Sequence, residues 1–82
     1  MYNAIEAQIV LGKGDKMSIS KNLRALRGER SQSEVADAVG VTKSAWAMYE
    51  RGERVPRDEV KIRIADYFNV SVQSIFFAEV EH

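Results

Sequence analysis

The sequence predicts an all-α fold, a compact set of five short helices, on three observations. Apolar residues recur at three- and four-residue spacing from residue 18 onward. Residues that start and stop helices punctuate that pattern at close intervals: Ser31, Gly40, Thr42, Gly52 and Ser71. No stretch alternates apolar and polar residues with comparable regularity, so no strand is expected from residue 18 onward; ahead of it, Ile5 and Ile9 suit one helix face and AQIVL suits a strand.

Each helix has its own warrant. The first is expected over about 19–27, with Ile19, Leu23 and Leu26 on one stripe, and the link GERS ends it. Ser31 caps the second, and Glu34 three residues later completes an S-x-x-E capping box. Val35, Ala36 and Val39 form its inner face, and Gly40 stops it where a left-handed backbone is usually needed. Thr42 caps the third helix, Val41 and Trp46 have the spacing of a hydrophobic staple, and Gly52 closes it. Pro56 is expected to open the fourth, with Asp58 and Glu59 in the first turn, where the helix dipole favours acids. Val60, Ile64, Ala65 and Phe68 mark its apolar side. Ser71 caps a short fifth helix, with Val70 and Ile75 as a second staple.

Composition excludes several functions. Eighty-two residues make one small domain. Its core is worth roughly 3–5 kcal/mol net, so a partner subunit would help it. There is no cysteine, and the one histidine is the last residue, His82. No disulfide, thiolate zinc site, metal cluster or catalytic triad can be assembled, so neither metal nor cofactor is expected and no enzyme is indicated. No apolar run approaches the ~20 residues that span a bilayer, and nothing reads as a signal peptide. The expectation is a soluble, cytoplasmic protein without a membrane partner.

Net charge is zero, but its distribution is uneven. Residues 16–57 hold nine Lys/Arg against five acids, a local charge of +4, whereas residues 58–82 carry −3. A local field governs docking more than the total does. Residues 1–17 do not join the helical pattern and are expected to be either a loosely held arm or a leader ahead of a start at Met17. The stretch KGDKM can be encoded as AAA GGA GAT AAA ATG, a ribosome-binding sequence before a start codon; a gene lacking GGAG there contradicts the leader reading. The domain proper is expected over 18–78, with a short tail at 79–82.

Residues 32–51 form one unit. Ala36 is small where two crossing helices approach, Gly40 lies in the turn, and Val35, Val39, Val41, Trp46 and Tyr49 fall on inward faces. This is the pattern of a helix-turn-helix. The stretches NLRALR, SQSEVADAVGVTKSAWAMYERGERVP and IADYFNVSVQSIFF resemble the phage-repressor and Cro type of helix-turn-helix regulator, also called the xenobiotic-response-element class, over residues 20–77. The resemblance implies a lambda-repressor-like domain that binds double-stranded DNA as a dimer and represses transcription. It also implies that Gln32 contacts a phosphate, and that Glu50 pairs with an arginine of the first helix. Arg27 is expected from the LR alignment, with Arg24 the alternative. The chain departs from the family in one place: the link GERS lacks the usual Gly-Leu before the serine.

The third helix divides by periodicity. Ala45, Trp46 and Tyr49 lie on one face, Lys43, Ser44, Ala47 and Arg51 on the other, with Met48 between. Trp46 and Tyr49 are therefore core, and the opposite face suits a major groove. Lys43 can donate to the O6 and N7 of guanine, and Ser44 can donate or accept. The methyl of Ala47 can meet a thymine methyl, and Met48 adds an adaptable apolar contact. Neither Gln nor Asn stands on this face, so a larger share of apolar and shape readout is expected. Ser31 and Gln32 open the second helix, where backbone N–H groups favour an anion. Arg51, Arg54 and Arg57 follow the third helix on a loop that can lie along the phosphates.

At the C-terminal end, one of Phe76 and Phe77 is expected to close the core. The other, with Val80 and Ile62, is expected to form a homodimer patch. A two-fold dimer sets recognition helices about 34–36 Å apart and implies a palindromic operator. A second reading is an antitoxin-like or anti-regulator protein that grips a protein partner through the acidic fourth and fifth helices or the arm.

Overall fold

A computed structural model of the chain describes residues 16–76, and all its regular elements there are helices. They are α1 (Lys16–Arg27), α2 (Gln32–Val39), α3 (Lys43–Arg51), α4 (Asp58–Phe68) and α5 (Val72–Phe76). Residues 1–15 of the expected arm, the tail, Phe77 and Val80 lie outside the described residues; Lys16 and Met17, expected in the arm, belong to α1.

The helix ends follow the predicted chemistry. Ser31 Oγ accepts from the Glu34 amide and Thr42 Oγ1 from the Ala45 amide, each at 3.0 Å. Both caps have extended backbone, so the side-chain oxygen replaces an intrahelical acceptor that the first turn lacks. Gly40 adopts φ 78° and closes α2 with the Val41 amide donating to Ala36 O at 3.0 Å. Asn69 closes α4 in the same way at φ 59°, with Val70 N donating to Ala65 O at 3.0 Å.

Two boundaries differ from expectation. α1 begins three residues earlier than predicted, at Lys16. Pro56 does not open α4: the N-cap is Arg57, in extended backbone, and the first helical residue is Asp58. Pro56 is instead buried in the extended lead-in, where its fixed φ suits the non-helical chain. The two acids still occupy the first turn.

The core is enclosed by all five helices. α1 packs on α3, α3 on α2 and α2 on α4, while α5 closes against both α1 and α4. Ile19, Leu23 and Leu26 of α1 meet Val35, Ala36 and Val39 of α2, Trp46 and Tyr49 of α3, Val60, Ile64, Ala65 and Phe68 of α4, and Ile75 and Phe76 of α5. Phe76 is fully buried and closes the core. Each large side chain buried here contributes about 1.5–3 kcal/mol relative to exposure. Polar groups at the core are bonded: Asn22 Nδ2 donates to Ile75 O at 2.8 Å, which ties α1 to α5. No buried side-chain donor or acceptor is left unpaired among the described residues.

The unusual GERS link has a physical account. Gly28 turns the chain at φ 58°, and the guanidinium of Arg30 stacks over the rings of Tyr67 and Phe68, at 5.5 and 5.6 Å. A cation over two aromatic faces holds this link to α4 without an apolar residue before the serine.

Candidate nucleic-acid interface

The structure holds α3 from behind through one carboxylate. Glu50, buried at 3% exposure on the inner side of α3, accepts from Arg27 in a fork, Nε to Oε2 at 2.6 Å and Nη2 to Oε1 at 3.0 Å. Gln32 Nε2 donates to Oε1 at 3.0 Å, and the indole N–H of Trp46 donates to Oε2. Arg24, the alternative partner, takes the backbone carbonyl of Glu50 instead. Burial pushes the Glu50 carboxyl up. The hydrogen bonds from Arg27, Gln32 and Trp46, with the charge of Arg27, outweigh that effect and hold it below its ordinary value.

The family resemblance implied the Arg27–Glu50 pair, but neither it nor the sequence pattern pointed to Gln32 and Trp46 as ligands of the same carboxylate. The Trp46–Glu50 spacing of one helical turn was a usable signal; the approach of Gln32 from α2 has no local signature.

The outward arc of α3 carries the candidate readers. Lys43 and Ser44 are exposed, Ala47 and Met48 half-buried, while Trp46 and Tyr49 are buried against the core. The rings of Trp46 and Tyr49 meet edge to face with centroids 6.0 Å apart, an arrangement that fixes both rings in the interior. Val41 and Ala45 are half-buried against the same core.

The expected phosphate contacts sit in different settings. Ser31 is exposed and already accepts at its Oγ as the cap of α2; Gln32 is half-buried, with one amide hydrogen directed to Glu50. Arg51 forms a fork with Glu53, at 2.9 and 3.2 Å, with both side chains more than half exposed. Arg54 and Arg57 are exposed and line a concavity of about 340 Å³ between α3 and α4. On the α2 side a cleft of about 600 Å³ contains Ser31, Thr42 and Lys43 but also Glu34 and Asp37, so its field is mixed.

Sequence reasoning also missed Arg63 of α4. Its Nε donates to Val39 O at 2.8 Å, which satisfies a terminal carbonyl of α2 and ties α4 to the helix-turn-helix. Among the described residues no group of His, Cys, Asp and Glu could hold a metal ion. No helix there is long and apolar enough to cross a membrane.

The chain is similar to known proteins in sequence and fold. The profile of the family described as "Helix-turn-helix domain" matches residues 19–74. The chain is 34% identical over 58 residues to the cryptic phage CTXphi transcriptional repressor RstR of Vibrio cholerae, a match covering 68% of this chain and 52% of that protein. It is 34% identical over 62 residues to the uncharacterized HTH-type transcriptional regulator YgzD of Bacillus subtilis, covering 76% of this chain and 92% of that one. The chain therefore spans about half the length of the phage repressor and most of YgzD. A solved structure of the SOS-response transcriptional repressor LexA from Eubacterium rectale matches with a TM-score of 0.71 at 25% identity, over 90% of this chain and 81% of that one. By its fold, its caps and these likenesses, the chain belongs to the helix-turn-helix domain family.

Proposed function

We propose that the protein is a sequence-specific regulator of transcription, a repressor, that seats the outward arc of α3 in the major groove of double-stranded DNA. The observation that carries this reading is the division of α3. Its inner side is bound to α1 and α2 through Trp46, Tyr49 and Glu50, while Lys43, Ser44, Ala47 and Met48 face away from the core. A helix so braced can present side chains to base edges with little loss of conformational freedom on binding. Ser31, Gln32, Arg51, Arg54 and Arg57 would hold phosphates and fix register. The names of the phage repressor and YgzD support the same role.

The protein binds as a homodimer through its α4–α5 end. Support comes from Ile62, at 55% the most exposed large apolar side chain among the described residues, which lies beside half-buried Val72 in a concavity that Asp58 and Lys61 also line. A two-fold axis there requires a palindromic operator with half-sites about one helical turn apart. The test is selection of bound sequences from a random duplex pool with the full chain. A palindromic consensus is expected. Enrichment of no sequence, with co-purification of a protein encoded by a neighbouring gene, contradicts it and favours the antitoxin-like reading.

A further inference from the structure

We infer that the concavity between α3 and α4 is a seat for a DNA backbone phosphate and that Arg63 is its third cation, beside Arg54 and Arg57. The inference rests on the DNA-binding reading and deepens it.

Two observations lead there. At about 100° per residue, the outward arc from Lys43 to Met48 covers roughly 140° of α3, so two flanks border it. On one flank lies Glu50, with Arg27 and Gln32 bonded to it. On the other lie Ala45 and Tyr49, which line the concavity with Arg54, Arg57 and Arg63. A helix in the major groove runs between two phosphate strands, so each flank meets a different strand. The first flank supplies the α2 N-terminus and Gln32; the second supplies the α4 N-terminus, whose N-cap is Arg57, together with Arg54 and Arg63.

The second observation is how Arg63 is held. Its Nε bond to Val39 O uses one of the five N–H donors of a guanidinium. The group lies flat against the turn, with its Nε and Nη2 3.5 and 3.7 Å from where a Cβ on Gly40 would stand. A guanidinium fixed by its Nε is pre-organised, so less side-chain entropy is lost when its terminal nitrogens meet an oxyanion. Glu59 shares the concavity, and the three arginines outnumber it.

The experiment is a salt titration of the full chain binding a short duplex of random sequence, from about 50 to about 200 mM, for the wild type, Arg63→Gln and Arg63→Lys. The glutamine would retain a donor for Val39 O but no charge; the lysine would retain the charge but not the fork. A phosphate contact predicts that Arg63→Gln lowers the slope of log K against log salt by about 0.9 and weakens binding alike on every sequence. Arg63→Lys should keep the wild-type slope. An unchanged slope in Arg63→Gln, an equal loss in Arg63→Lys, or loss of the thermal melting transition in Arg63→Gln would each reduce Arg63 to the cap of α2 and overturn the inference. If the wild type shows no salt-dependent binding, the DNA-binding reading fails with it.

Discussion

The indole N–H of Trp46 donates to the carboxylate of Glu50, one turn further along α3. That bond joins the largest buried side chain of α3 to its one buried charge. The same carboxylate takes Arg27 from α1 and Gln32 from α2, so a single group sets three helices against one another.

The two ends of the ion pair are unequal. Arg27 is 23% exposed, whereas Glu50 is 3% exposed. Arg27→Met leaves a buried carboxylate without its cation and should cost about 3–5 kcal/mol in urea unfolding. Glu50→Gln leaves an arginine that can reach water but turns an amide NH₂ towards surrounding donors, and should cost about 1–3 kcal/mol. Equal losses would contradict this asymmetry.

Acid should act through the same group. The carboxyl of Glu50 lies below its ordinary value in the folded protein, so its stabilisation is complete above the unfolded value and is lost as pH falls through the folded one. Thermal melting should therefore be flat near neutrality and drop on the acid side of the ordinary glutamate range, with a shallower acid limb in Glu50→Gln. An unaltered acid limb in that variant would show that other carboxylates govern acid unfolding.

Gly40 tests the turn itself. A Cβ there would stand 3.5 Å from the nearest Arg63 atom, an ordinary contact, so Gly40→Ala has room. The cost should come from φ 78° alone, roughly 1–2 kcal/mol. A loss far above this in denaturant unfolding would point to a clash instead.

The Arg51–Glu53 fork engages a side chain proposed to meet DNA. Glu53→Gln should release it, raising affinity for every duplex alike by up to about fivefold and steepening the salt dependence by about 0.9. No change in either quantity would remove Arg51 from the phosphate contacts.

Much of this was legible in the sequence because its causes are local. Ser31, Thr42, Gly40 and Gly52 announce helix ends through groups within a few residues, and the spacing of Trp46 and Tyr49 assigns the inner face of α3. Pro56 was misplaced because proline suits both the first turn of a helix and the extended chain before it. The bonds of Gln32 to Glu50 and Arg63 to Val39 join residues 18 and 24 positions apart. Only the packing of helices brings those groups together.

The most direct test of α3 as the reading helix is to repeat the selection from a random duplex pool with Lys43→Ala, Ser44→Ala and Arg54→Ala. Each α3 variant should lose preference at particular positions of the wild-type consensus, with about 1–3 kcal/mol of discrimination removed per contact. Arg54→Ala should keep the consensus and bind all sequences more weakly. A consensus unchanged by both Lys43→Ala and Ser44→Ala would contradict the assignment of base reading to the outward arc of α3.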